Sequence, residues 1–174
     1  MRSRPLLAHE QARILRALKR ESVATGYKSL IAAALATGLR ISELLALTRE
    51  QITTPRGAVR EWVTVPKELM KGSKRSRLVR FPPQIRAAIR EHLAVSPKLW
   101  PRSRASAWRA VKRAAARAGI PTGHVSPHSF RHTFAIRTYK RLGDLAATQL
   151  VLGHISTSTT MLYLGGIRSL WLRL

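Results

Sequence analysis

Cysteine is absent from this 174-residue chain, and carboxylates are few, since Asp144 is the only aspartate among eight acidic residues. The lack of cysteine excludes a disulfide scaffold and cysteine-based zinc modules. Two-metal nucleases and transposases need several carboxylates that converge on paired divalent ions. Such a site would have to be built here from glutamate alone. We therefore expect that any cleavage of a phosphodiester by this chain uses neither a metal nor another cofactor.

A long apolar run is missing as well. No window of the sequence approaches the roughly 18 consecutive apolar residues that span a bilayer. The first ten residues, from Met1 to Glu10, lack the apolar core of a signal peptide. These absences favour a cytoplasmic protein with no membrane partner.

Positive charge, in contrast, is abundant. The chain carries 32 lysines and arginines, a formal net charge of +24 and a pI near 12. A field this positive favours nucleic acid or another polyanion as the partner, although biased composition alone could also produce it. With 45% hydrophobic residues, the chain is long enough to bury a core as one domain over residues 1–174.

Hydrophobic periodicity predicts a mainly α-helical fold with one small antiparallel β-sheet. The predicted helices are Ala8–Arg20, Tyr27–Thr37, a helix from Ile41 with Ser42 near its N-cap, Gln84–Leu93, Ser103–Ala118 and Pro127–Arg141. Gly38 is a predicted C-cap, and Gly143, Gly153 and Gly165 delimit two shorter helices. The predicted strands, Glu61–Val65 and Arg77–Phe81, flank a turn at Lys71–Lys74.

The predicted helix Ser103–Ala118 has two different faces. Its apolar face is expected to consist of Trp108, Val111, Ala115 and Ala118. Its basic face, with the residue that precedes it, consists of Arg102, Arg109, Arg113 and Arg117. These arginines could lie against DNA phosphates, or they could simply be a solvated face.

Several residues of the chain could together cleave a phosphodiester without metal. Tyr163 can act as the nucleophile, because a phosphotyrosyl link preserves the bond energy. His128 and Arg131 are three residues apart and share one helix face, where the arginine fork can hold two phosphate oxygens. Arg40 could be a second clamp, and Glu43 could orient a guanidinium.

The proton for the leaving 5′ oxygen needs a separate donor. Lys71, at the tip of the predicted hairpin, could provide it, and Lys74 competes for that role. A rival interpretation is a zinc site made of His128 and His132 with His124 or His154. No glutamate of a His-Glu-x-x-His motif accompanies these histidines, so we expect no metal site.

Four segments in this order resemble the catalytic domain of the tyrosine recombinases, the phage integrase family. They are the Arg40 segment Thr37–Thr48, the hairpin segment Lys71–Val79, the segment His128–Ala135, and the pair Leu152–His154 and Thr159–Tyr163. The resemblance extends over about residues 7–163. It implies the fold of these catalytic domains and a site-specific recombinase or integrase that acts on double-stranded DNA.

The resemblance also implies a role for each matching residue. Tyr163 would attack the scissile phosphate and form a 3′-phosphotyrosyl link. Arg40 and Arg131 would hold the non-bridging oxygens, and Lys71 would be the general acid. His128 would help to accept the tyrosine proton, and His154 would donate a further hydrogen bond.

Assembly and domain content follow from the same resemblance. The sequence has no room for the N-terminal DNA-clamping domain of the family. Weak DNA binding, a helper DNA-binding protein, or a truncated and inactive gene are the expectations that this departure leaves open. A homotetramer on DNA is expected, and the apolar tail 164–174 would dock on a neighbouring subunit or fold onto its own domain. The alternatives are a type IB topoisomerase-like nicking and closing enzyme, and a DNA-binding protein of this fold without turnover.

Overall fold

The computed structural model of the chain describes residues 3–69, 76–100 and 103–153. Within these ranges the chain forms helices α1 to α8 and two strands. The helices are α1 (Ala8–Ala17), α2 (Tyr27–Thr37), α3 (Ile41–Ala46), α4 (Arg49–Ile52), α5 (Pro83–Val95), α6 (Arg104–Arg117), α7 (Pro127–Leu142) and α8 (Leu145–Leu152). The strands are β1 (Trp62–Val65) and β2 (Arg77–Arg80). The mainly α fold with one small sheet is therefore confirmed.

The two strands pair antiparallel, as predicted. Trp62 lies opposite Arg80 and Val65 opposite Arg77 in the register. Val63 and Val65 of β1 and Val79 of β2 are buried, because alternate side chains of a strand point to the same face. Arg77 lies on this same buried face. The tip of the hairpin, which carries Lys71 and Lys74, lies outside the described residues.

Helix α2 is the centre of the core and packs against α5 and α7. Most of its residues are buried, and its three consecutive alanines, Ala32–Ala34, leave space for neighbouring helices to approach. The helix ends at Gly38, the predicted C-cap, which has a left-handed φ of 63°. A Cβ at this position would overlap the ring of Phe134 on α7. Gly38 is thus required both by its backbone angle and by this close approach.

Three details differ from the predictions. The first helix ends at Ala17 and continues to Arg20 only as a 3-10 turn. The N-cap of α3 is Arg40 and not Ser42, because the carboxylate of Glu43 accepts the backbone N–H of Arg40. Trp108 is 47% exposed and does not belong to the packed face of α6; the Lys112 ammonium lies 4.8 Å from its ring centre instead.

The remaining helix predictions agree with the structure to within two residues at each end. Gly143 and Gly153 delimit α8, whereas the last predicted helix, near Gly165, lies outside the described residues. Across the described ranges, no helix is both long enough and apolar enough to cross a membrane.

The segment before α1 is tied to α7 and to its own helix. The backbone N–H of Leu6 donates to Thr133 Oγ1 over 2.7 Å. The Arg4 guanidinium donates to both oxygens of the buried Glu10 carboxylate, at 2.6 and 2.7 Å. These bonds to Arg4 lower the pKa of Glu10 to about 2.

This ion pair makes stability depend on pH. A lowered carboxylate pKa stabilises the fold above the unfolded-state pKa of about 4.3, and the contribution is lost as the pH falls towards 2. We expect Glu10→Gln to lower the free energy of unfolding by about 1–2 kcal/mol at neutral pH, a value reduced because Arg4 is partly exposed. Urea unfolding of both proteins between neutral and acidic pH should show this difference shrinking. Glu61→Gln, in an exposed pair with Arg80, is the control, and a pH-independent difference would contradict the assignment.

Candidate active site

Arg40 begins α3 and is held by a single carboxylate. Its Nη1 donates to Glu43 Oε1 over 2.6 Å, and its backbone N–H donates to Glu43 Oε2 over 2.7 Å. Glu43 is only 1% exposed, whereas the Arg40 side chain is 31% exposed. Glu43 therefore fixes the position of a guanidinium that still reaches the protein surface. This contact agrees with the orienting role that the sequence suggests for Glu43.

Arg131 connects two turns of the backbone from its position in α7. Its Nη1 donates to the carbonyl of Gly38 over 2.6 Å, and its Nη2 donates to the carbonyl of Leu152 over 2.8 Å. The residue is 7% exposed. Burial, together with the nearby Arg40 charge, lowers its pKa to about 10, so that the guanidinium stays protonated at neutral pH.

A third arginine, Arg77 on β2, joins this group and was not predicted as a site residue. Its Nη2 lies 3.4 Å from Glu43 Oε2, and its Nη1 donates to the Leu152 carbonyl. Burial lowers its pKa to about 10, against the opposing effect of the Glu43 charge. One signal could have revealed it: Arg77 is two residues before Val79, so strand alternation puts a charge at a core-facing position.

The arginine cluster consists of Arg40, Arg77 and Arg131 around Glu43. Arg40 and Arg77 contact the Glu43 carboxylate, and Arg131 lies close enough for the Glu43 charge to oppose the lowering of its pKa by burial. Positive charge is therefore concentrated around this carboxylate. Buried charges are stable only when they are paired and hydrogen-bonded. An anion with several oxygens, such as a phosphate group, would neutralise this positive charge and could accept bidentate hydrogen bonds.

His128 lies in the first turn of α7, where Pro127 and the N-cap Ser126 begin the helix. Its side chain is exposed, and its backbone N–H donates to Ser126 Oγ over 3.2 Å. The spacing to Arg131 places both side chains on one face of the helix, as predicted. No three histidine, aspartate or glutamate side chains of the described ranges could together hold a metal ion.

Some arginines of the predicted basic face of α6 already form ion pairs or hydrogen bonds within the protein. Arg113 and Arg117 both face the carboxylate of Glu21, with the Arg113 pair at 3.9 Å. The exposed Arg109 donates to Ser106 Oγ over 3.1 Å. Contact of these arginines with DNA stays a prediction, and for Arg113 and Arg117 it would compete with an ion pair inside the protein.

Five predicted site residues lie outside the described part of the chain: Lys71, Lys74, Arg102, His154 and Tyr163. The described residues end at Gly153, which directly precedes His154 in the sequence. The structure therefore brings Arg40, Glu43 and Arg131 together, and adds Arg77 to them.

The fold is that of the catalytic domains of site-specific recombinases. The XerA recombinase superposes with a TM-score of 0.71 and 24% identity, over 99% of this chain and 65% of that one. The XerH recombinase bound to its difH substrate gives a TM-score of 0.69 at 23% identity, over 96% and 54% of the two chains. For the catalytic domain of bacteriophage HP1 integrase, the TM-score is 0.62 and the identity 24%, over 92% and 86%.

Sequence comparison shows the family to which the chain belongs. Residues 4–165 match the phage integrase family, and the chain belongs to that family. Tyrosine recombinase XerD of Shewanella oneidensis is 35% identical over 144 residues, which are 78% of this chain and 48% of the relative. XerD of Neisseria meningitidis serogroup A is 35% identical over 154 residues, which are 84% and 52%. The chain thus spans about half the length of the curated relatives it matches.

Proposed function

We propose that this chain is the catalytic domain of a tyrosine-type site-specific DNA recombinase. It would break and rejoin double-stranded DNA through a 3′-phosphotyrosyl intermediate, without metal or ATP. The observation that carries the proposal is the arginine cluster, in which a buried carboxylate orients a partly exposed guanidinium beside a second, buried arginine. A transferring phosphate needs such preorganised donors for its non-bridging oxygens.

Each chemical step of cleavage and rejoining can be assigned to particular residues. The Tyr163 phenol oxygen attacks the scissile phosphorus, the bond to the 5′ oxygen breaks, and the departing oxygen takes a proton from Lys71 or Lys74. Arg40 and Arg131 bind the non-bridging oxygens, and Glu43 keeps Arg40 in position. His128 helps to accept the phenol proton, and His154 adds a hydrogen bond to the phosphate. Attack of a 5′ hydroxyl from a partner duplex on the link completes the exchange.

The finer features of this activity are also proposals. The formal charge of +24 favours a DNA partner, with Arg102, Arg109, Arg113 and Arg117 as candidate phosphate contacts. Strand exchange between two duplexes would involve a homotetramer on DNA, with the tail 164–174 as a candidate contact between subunits. A helper DNA-binding protein would increase the affinity for DNA. The protein would act in the cytoplasm, on the DNA of the nucleoid.

A joint-molecule assay tests the proposal against its two alternatives. Two duplexes of different length, drawn from the DNA around the gene, would be incubated with the protein in EDTA. Recombinant duplexes of new length are the expected product. Relaxation of supercoiled DNA without such products would favour a type IB topoisomerase-like enzyme. Binding without any strand breakage would favour a DNA-binding protein of the same fold.

A further inference from the structure

We propose that Arg77 is a positioning residue for Arg40 and Arg131, the two arginines that would bind the phosphate and that we call the phosphate clamp. It would keep their guanidinium groups in the correct relative position. It would act through Glu43 and through the carbonyl of Leu152, and it would not touch the DNA. This inference rests on the proposed function, because it assigns Arg77 a part in the same reaction.

The position of Arg77 is unusual for a charged residue. It lies on the core-facing side of β2, and its side chain is 2% exposed. A buried cation costs several kcal/mol unless other groups compensate it. The compensating groups here are Glu43, at 3.4 Å, and the Leu152 carbonyl. Both belong to elements that also hold the two clamp arginines.

Arg77 adds a contact to a carboxylate oxygen of Glu43 that the backbone of Arg40 also binds. Glu43 Oε1 accepts from the Arg40 guanidinium, while Oε2 accepts from the Arg40 backbone and faces Arg77 Nη2. The carboxylate plane is therefore fixed at both oxygens. Without Arg77, Glu43 could rotate and carry the Arg40 guanidinium away from its position.

Arg77 and Arg131 also share an acceptor. Leu152 is the last residue of α8, where carbonyls have no partner within the helix, and both arginines donate to its oxygen. Gly153 follows with a left-handed φ of 75°, and a Cβ there would overlap the Arg77 guanidinium. Arg131 itself joins the ends of α2 and α8 through the carbonyls of Gly38 and Leu152, and Arg77 connects β2 to this set of hydrogen bonds.

The planar fork of arginine suits this role. Nη1 and Nη2 serve two acceptors in different directions, which one lysine ammonium on a flexible stem cannot do with the same geometry. Arg77→Lys keeps the charge and should lose the double contact. Arg77→Met removes the charge as well. Arg80→Met, on the same strand but in a half-exposed pair with Glu61, is the matched control.

Single-turnover cleavage of nicked DNA measures the effect. We expect Arg77→Met to cleave about 100-fold more slowly, the scale of loss for a reacting group displaced by about an ångström. Arg77→Lys should show a smaller loss, and DNA affinity should stay within about twofold for both. Cleavage by both variants at the rate of Arg80→Met would overturn the proposal. If Arg77→Met does not fold, Arg77→Lys is judged by the same criteria.

A substrate with sulfur in place of the bridging 5′ oxygen separates positioning of the clamp from positioning of the general acid. A thiolate leaves without protonation far more readily than an alkoxide, because the pKa of a thiol is near 8.5. The loss in Arg77→Met should persist on this substrate. Recovery of the rate would mean that Arg77 acts through the hairpin lysine, and it would overturn the assignment to the clamp.

A measurement without DNA distinguishes failure of this inference from failure of the proposed function. Arginine Nε–H resonances of Arg40 and Arg131 would be assigned in a 15N-labelled sample. Both should shift in Arg77→Lys and in Arg77→Met, and neither in Arg80→Met. Unchanged resonances would overturn the positioning role even in an active enzyme. If the resonances shift in both Arg77 variants while the wild-type protein forms no covalent product with DNA, the positioning role is upheld and the recombinase proposal is refuted.

Discussion

Tyr163→Phe is expected to abolish the covalent protein–DNA product and to leave DNA binding within about twofold of wild type. The phenol oxygen is the atom that would become bonded to phosphorus, and phenylalanine lacks it. Other residues, such as the Arg40 guanidinium, bind the phosphate without forming a bond and cannot replace it. Removal of a covalent nucleophile commonly costs a factor of about a million in rate. No product should therefore be visible on a denaturing gel.

The assay would use labelled, nicked DNA from around the gene, with EDTA present throughout. A nick a few nucleotides on the 3′ side of the scissile phosphate lets the short fragment that carries the new 5′ hydroxyl diffuse away, which traps the covalent link. Tyr139→Phe, which alters an exposed tyrosine on α7, is the control and should give the wild-type amount of product. Product in Tyr163→Phe would mean that another residue is the nucleophile. A parallel reaction with Mg²⁺ and no EDTA tests the role of metal, and product in that reaction alone would refute the metal-free mechanism.

Local patterns predicted most of the elements. The two short β-like runs on either side of the Lys71–Lys74 turn predicted the antiparallel pair, and Gly38 predicted the end of α2, since these signals depend only on neighbouring residues. The sequence places Ser42 near the N-cap of α3, because serine is frequent at that end of a helix. In the structure the buried Glu43 carboxylate serves the backbone of Arg40 instead.

Tertiary contacts explain the other differences. Trp108 matched the spacing of the apolar face of α6, but spacing does not show how far that face is covered, and half of the side chain is exposed. Arg77 was passed over because its burial depends on Glu43 and Leu152, which are 34 and 75 residues away in the sequence. Glu21 likewise engages Arg113 and Arg117 from a distant turn.

In the candidate site, too, local sequence patterns predict some features and tertiary contacts determine the others. Arg40, Glu43, His128 and Arg131 could be selected from short motifs, since each motif places residues of matching chemistry a few positions apart. The shared Leu152 carbonyl could not, because a backbone acceptor has no signature in the sequence. The site is thus predictable in its chemical groups and less so in the contacts that orient them.

Glu43→Gln should destabilise the fold more than any other single change proposed for the described residues. Glutamine has almost the same shape but leaves Arg40 and Arg77 without the carboxylate charge that they contact. Removing one partner of a buried ion pair typically costs about 3–5 kcal/mol. We expect a loss of this size in the free energy of unfolding, measured by urea denaturation at neutral pH. Glu91→Gln, in an exposed pair with Lys28, should cost less than about 1 kcal/mol.

Sulfate should restore part of the stability that Glu43→Gln loses. An oxyanion that binds the uncompensated guanidinium groups of the folded state stabilises it by mass action. Sulfate also stabilises proteins in general, so the relevant quantity is the difference from wild type, compared between sulfate and chloride at equal ionic strength. A smaller difference in sulfate is expected. The same difference in both salts would mean that sulfate binds the variant cluster no more tightly than the wild-type cluster, and would contradict the expected excess of positive charge around position 43.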